Sequence, residues 1–342
     1  MAILGIERVY YRVADLDLCV RFFEDYGLEL YDRSPDVAEF HLPDNSRVLL
    51  SRSPVNLPPG SELVGDGIYD TVWGVDTQEH LERLVRRVSV DREVRCDADG
   101  IHHFIADGGL PMGLKHWHER RAVSTSVDPV NSPGNINRLN VHRKWITRAR
   151  PKYIAHVVFA VPEYQACFSF LRERLGFRLS DRQRGVGIFA RCDGSNEHHN
   201  VYLLNASSGV PGADGTLRFQ HVNFVLTDLD EMMIGKNYME RRGWPQSRWG
   251  LGRHRIASAL FFYLPFPGGG EVEYGADSDA LDDDWVPRDF EVVFGFAHWV
   301  HDMPEFWLEP AAWTVAFDES AVPSRGKAVK RDVPAPITAA VP

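Results

Sequence analysis

Short apolar runs, each leading into a stretch with helical spacing, recur along this chain. Residues 9–33 read Val-Tyr-Tyr-Arg-Val-Ala-Asp-Leu-Asp, then Arg-Phe-Phe-Glu-Asp-Tyr-Gly-Leu-Glu-Leu-Tyr-Asp-Arg after a short gap. Residues 157–182 repeat the plan, with Val-Val-Phe-Ala-Val-Pro-Glu-Tyr followed by Ser-Phe-Leu-Arg-Glu-Arg-Leu-Gly-Phe-Arg-Leu-Ser-Asp-Arg. Both predict a strand, an amphipathic helix, a glycine and a second strand. Gly27 and Gly176 fall where a helix C-cap is expected. Shorter echoes begin at Trp73 and Asn223, each a strand running into a helix start with an aspartate, Asp76 or Asp228, as cap candidate. The pattern predicts an α+β chain of four modules in two pairs, each module a strand, a helix and several further strands.

Residues 124–150, rich in Ser, Asn, Pro and Arg and weakly periodic, read as a linker. They divide a domain at 1–123 from a second at 151–310. Residues 311–342 read as a tail, which becomes Ala-, Pro- and Val-rich beyond about Val322.

Composition narrows the function classes. At 342 residues, 44% hydrophobic and 25% charged, the chain can bury a large core. A net charge of −10 argues against nucleic acid and anionic membranes as partners. No apolar run approaches a membrane span, and the N-terminus shows no signal peptide. Four scattered cysteines without a CxxC pair fit reduced thiols in a cytoplasm.

Three residues of the second half stand out. His156 and His221 open apolar strands, and Glu273 lies in the run Glu-Val-Glu-Tyr-Gly. Each histidine alone reads as a hydrogen-bonded core residue. A buried carboxylate needs a partner, however, and two imidazoles with one carboxylate form the facial triad of non-haem Fe(II) oxygenases.

From Met1 to about Trp299 the sequence resembles the type I extradiol ring-cleaving dioxygenases of the vicinal-oxygen-chelate superfamily. The most specific stretch is Leu251-Gly-Arg-His-Arg-Ile-Ala-Ser-Ala-Leu-Phe-Phe-Tyr, followed by Pro-Gly-Gly-Gly-Glu-Val-Glu-Tyr-Gly. The resemblance implies four βαβββ modules paired into two incomplete barrels. It also implies Fe(II), or Mn(II), held by His156, His221 and Glu273, and a small aromatic diol and O2 as reactants. In that family the second histidine of the His198-His199 pair is the acid–base residue, a tyrosine at Tyr263 hydrogen-bonds the substrate oxygen, and His254 supports it. His198 and His199 are expected on a strand, pointing to opposite faces.

The departure from the family pattern is Ala257-Ser258-Ala259, where relatives often carry Asp or Asn. Arg255, Ser258 and Arg288 are therefore expected as substrate contacts, and the aromatic stretch from Trp285 to Trp307 as a lid. Aligning the repeats sets Arg8 against His156 and Tyr69 against His221, with no carboxylate in place of Glu273, so the first half is expected to be structural. A homo-oligomer is expected. The alternatives are a lyase, isomerase or hydrolase on the same fold, and a non-catalytic aromatic-ligand binder.

Overall fold

The computed structural model describes residues 2–54, 60–210, 213–246, 249–302 and 315–321. Four βαβββ modules follow one another along it. Their leading strands are Ile3–Arg12, Gly67–Val75, Ile154–Val161 and Arg218–Val225. The helices that follow are Leu16–Tyr26, Gln78–Val88, Tyr164–Phe170 (continued as a π-helical turn, Leu171–Leu175) and Leu229–Arg241.

Helix ends are set by local chemistry. Gly27 and Gly176 cap their helices with φ of 111° and 83°, a left-handed geometry that costs glycine nothing. Asp228 caps its helix by accepting from the Glu231 backbone N–H. In the second module the cap is Thr77, not Asp76; Asp76 instead bonds His80 Nδ1 at 2.6 Å.

Each half makes one sheet by the same rule. The two leading strands pair antiparallel at the centre, and each module's last strand joins its own leading strand in parallel. The second sheet is longer, with 11 strands against 8. Arg288–Phe290 and Val315–Phe317 extend one edge and Trp299–Val300 the other. Part of the expected tail is thus a strand; residues 322–342 lie outside the described residues, as do 303–307 of the expected lid.

The halves share an apolar core. Tyr11 and Phe23 of the first half pack on Phe219 and Phe266 of the second, and Tyr26 stacks on Tyr274 with ring centroids 4.0 Å apart. No described helix is long and apolar enough to cross a membrane, and the four cysteines are free thiols.

Candidate metal centre

The site is a row of side chains across neighbouring strands of the second sheet. His156 lies opposite Asn223, Asn223 opposite Glu273, and Glu273 opposite Tyr263. His221 sits two residues before Asn223 and so shares its face. Register alone therefore brings the two histidines and the glutamate together. His156 Nε2 is 3.2 Å from His221 Nε2 and 3.2 Å from Glu273 Oε2, and His221 Nε2 is 3.3 Å from that same oxygen. These three residues are the only such metal-capable group among the described residues.

The triangle fits a metal ion. Facial ligands 90° apart at ~2.1–2.2 Å place donor atoms about 3.0–3.1 Å from one another, while a tetrahedral ion spreads them to about 3.4–3.6 Å. The observed sides are closer to the facial arrangement. Glu273 is 2% exposed, and its Oε2, aimed between the two imidazoles, makes no directed hydrogen bond. A buried carboxylate oxygen without a donor is costly, and a cation would offset that. Burial alone would raise the Glu273 pKa; the two imidazoles outweigh it and hold the carboxyl below its usual range. Burial pushes the His156 pKa down, against the pull of Glu273. Neutral imidazoles facing an ionised carboxylate are the protonation states that ligation requires.

Second partners fix the rings. His221 Nδ1 donates to the Gln220 side-chain oxygen, which leaves Nε2 as a lone pair toward the centre. Gln220 is held by Glu271 at 3.1 Å. Sequence reading missed Gln220, although it adjoins His221.

His199 stacks on His156, ring centroids 4.1 Å apart, and lines the cavity over the centre. His198 does not; it is fully buried. The pair precedes the strand Val201–Asn205 rather than lying on it, so a loop, not strand alternation, turns the rings apart. Burial, then the neighbouring histidines, pushes the His199 pKa well below the usual value. His254 and Tyr263 also line the cavity, and burial pulls the His254 pKa down to about 4.

The cavity measures about 820 Å³. Its far wall is apolar, with Val158, Val186, Phe189, Tyr202, Leu204 and Val210. No lysine or arginine lines it among the described residues, whereas Glu197, Glu271, Asp277 and Asp279 do. Glu197 accepts from Tyr153 at 2.7 Å, and burial raises its pKa.

The expected substrate contacts are turned elsewhere. Arg255 donates to the backbone carbonyls of Phe294 and Ala297, at 2.6 and 2.7 Å. Arg288 is bound to Asp181, with Nη2 2.8 Å from Oδ2. Ser258 donates to Asp279 at 3.1 Å. None of the three lines the cavity. The physical reason is local: each polar group meets a nearer acceptor on its own turn or sheet edge. Ala257 does line the cavity, with φ of 64°, a left-handed conformation in which Asn and Asp are more at ease than Ala.

The first half fills the equivalent place with its own side chains. Register pairs Tyr10 with Asp70 as Val158 pairs with His221, so Asp70, one residue from the expected Tyr69, stands for His221. Gly113, opposite Val72, stands for Glu273. A Cβ on Gly113 would come within 2.8 Å of the Ile101 side chain. His103, bonded to Asp70 at 2.7 Å and Asp97 at 3.0 Å, lies beside it, and Arg8 pairs with Asp99. Ion pairs thus occupy the position that is a metal-capable triangle in the second half.

No family model matches the chain. Among curated proteins it is 30% identical over 214 residues to metapyrocatechase 2 of Cupriavidus necator, covering 62% of this chain and 64% of that protein. It is 27% identical over 180 residues to an iron-dependent extradiol dioxygenase of Rhodococcus jostii, covering 47% of this chain and 56% of that one. The match therefore spans less than two thirds of either relative's length. The crystal structure of a Mn(II)-bound glyoxalase from Novosphingobium aromaticivorans shares the fold with a TM-score of 0.70, over 91% of this chain and 96% of that one, at 22% identity. In sequence and in fold, the chain matches the type I extradiol dioxygenases of the vicinal-oxygen-chelate superfamily.

Proposed function

We propose that this protein is a non-haem Fe(II)-dependent extradiol dioxygenase that opens a catecholic ring with O2 to a muconic semialdehyde-type product. The observation that carries the reading is the His156–His221–Glu273 triangle with His199 and Tyr263 on its open side. Fe(II) is favoured over other ions by the two-imidazole, one-carboxylate set and by the iron-dependent relative; Mn(II) suits the same donors and is bound by the structural neighbour.

His156, His221 and Glu273 would hold the ion on one face. When bound, the ion would lower the pKa of the diol hydroxyls and hold diol and O2 side by side. The chain's own groups do the rest. Tyr263 donates a hydrogen bond to the anionic diol oxygen. His199 takes a hydroxyl proton as the diol binds and returns it to oxygen as the ring opens. The apolar far wall excludes water and accepts the remainder of the substrate. A cavity of this size lies high in the ~300–1,000 Å³ range of small-molecule sites, which favours a diol with an apolar extension.

The test is to mix Fe(II)-loaded protein with simple and extended catechols, with and without air. A yellow product that forms only with O2 supports the reading. Turnover without O2 consumption would select a lyase or isomerase on the same fold, and binding without turnover a ligand-binding protein. We further propose a cytoplasmic location and assembly of copies of this chain. Val127, Val130, Ile136, Leu139, Val141 and Trp145 are all exposed on one irregular segment. That segment also carries Arg138, Lys144, Arg148 and Arg150, in a chain of net charge −10, so it is complementary to the surface of a second copy.

A further inference from the structure

Behind His199 runs a line of buried polar groups that the proposed chemistry leaves unused. His199 Nδ1 is 3.0 Å from His198 Nδ1. His198 Nε2 is 2.8 Å from Asp181 Oδ2, and both residues are 0% exposed. Asp181 also accepts from the Arg288 backbone N–H at 2.7 Å and from its guanidinium Nη2 at 2.8 Å.

The proton positions follow from what each atom can do. A buried carboxylate surrounded by donors stays ionised and only accepts. His198 Nε2 therefore carries a proton. In neutral His198 the other nitrogen, Nδ1, is then a lone pair. Two facing Nδ1 atoms share one proton, so His199 must donate it. That leaves His199 Nε2 as the unprotonated nitrogen, and it has no hydrogen-bond partner among the described residues.

We infer that Asp181 and His198 are positioning residues that hold His199 in the Nδ1–H tautomer, so that Nε2 meets the substrate as a base. The inference rests on the proposed acid–base role of His199. It also gives the accepted proton a balanced route. As Nε2 gains a proton, the Nδ1 proton of His199 passes to His198 Nδ1. One N–H bond forms and one breaks at His199, and the positive charge comes to rest on His198. There it lies 2.8 Å from the Asp181 carboxylate instead of against the His156 ring. Return of the proton to substrate reverses both transfers. A purely structural role would not need His198, since Arg288 already ties Asp181 to the neighbouring strand, where the two residues are paired in register.

Long-range 15N–1H spectra of histidine-labelled protein, metal-free and with diamagnetic Zn(II), read which nitrogen of His199 bears the proton; His199→Gln supplies the assignment. The expected result is Nδ1–H in the wild type. Asp181→Asn offers an amide donor to His198 Nε2, reverses both rings, and should give Nε2–H at His199. His198→Phe keeps a ring of similar size, removes the acceptor and should give mixed tautomers. Asp181→Glu restores the carboxylate and should restore Nδ1–H. In Fe(II)-loaded protein Asp181→Asn should lower kcat by about 10²-fold or more while anaerobic diol affinity changes by less than about threefold. An unchanged His199 tautomer in folded Asp181→Asn and His198→Phe overturns the relay. Because the spectra need no turnover, a wild type with the expected tautomer but no O2 consumption would instead overturn the dioxygenase reading.

Discussion

The hydroxyl of Tyr263 lies 3.2 Å from Nε2 of His254, and Nδ1 of the same ring lies 2.6 Å from the Phe296 carbonyl oxygen. A carbonyl can only accept, so His254 carries its proton on Nδ1 and offers Nε2 as an acceptor. Tyr263 is thereby held as a hydrogen-bond donor directly opposite Glu273. Burial, and then the Glu273 charge, raises its pKa well above that of a free phenol. The phenol therefore stays protonated and can donate to an anion at the metal centre.

Tyr263→Phe should accordingly retain metal but bind the diol anion more weakly. A lost hydrogen bond to a charged group costs roughly 1.5–3 kcal/mol. Anaerobic titration with a cleavable catechol, followed by mixing with O2, measures both affinity and ring opening. Equal affinity and equal turnover would leave Tyr263 a core aromatic only.

Metal content is a second check. One triangle among the described residues, and an ion-paired counterpart in the first half, imply about one Fe(II) or Mn(II) per chain. Glu273→Gln should lose that ion and with it all O2 uptake, and chelation should lower the melting temperature of the wild type but not of the variant. Two tightly held ions per chain, or full activity in the variant, would contradict the proposed centre.

The fold was legible because its signals are local. Gly27 and Gly176 mark helix ends, and leading strands repeat at matching positions. The triad was legible because His156 and His221 occupy those matching strands, and a lone buried glutamate needed a partner. Side chains on turns were not legible. No period dictates where Arg255, Ser258 or Arg288 points, and each found a closer acceptor than any substrate. Asp181 gave no signal because its partners, His198 and Arg288, lie 17 and 107 residues away. The one-residue error at Tyr69 has a similar origin. The pairing of Ile3–Arg12 with Gly67–Val75 contains register shifts, and repeat alignment by eye passes over them.

Acid should destabilise the metal-free protein. The His254 pKa is lowered from 6.5 to about 4, chiefly by burial, and His199 and His156 are lowered too. Above pH 6.5 folded and unfolded forms of these rings are both neutral, so nothing is lost. Between 6.5 and about 4 the unfolded chain binds more protons, so stability falls as pH falls. His254 alone would contribute on the order of 2–3 kcal/mol by the lower end. Urea midpoints of metal-free protein at several pH values should drop across this window, and His254→Gln should flatten the drop. A midpoint constant across the window would refute the assignment.

Assembly can be checked by sedimentation. The exposed apolar side chains near Trp145 should be covered by a second copy, so wild-type protein should sediment above monomer mass at micromolar concentration. Trp145→Asp together with Leu139→Asp should shift it toward monomer without changing secondary structure. A wild type that is monomeric at all concentrations would end the proposal.

Substrate charge offers the sharpest test of the cavity. Four carboxyl residues besides Glu273 line it, with no lysine or arginine among the described residues, and Arg255 and Arg288 are committed to other partners. A substrate carboxylate would enter without a cation and would face acidic groups in a space of low dielectric. A neutral catechol bearing an apolar substituent instead meets Val158, Phe189 and Leu204. Its kcat/KM should exceed that of a carboxylated catechol of similar size by at least about tenfold, equivalent to ~1.4 kcal/mol. The difference should arise mainly in anaerobic affinity, since the reacting diol is the same in both. Equal or better use of the carboxylated compound would mean that a cation outside the described residues reaches the cavity, and that the lining seen here does not set specificity.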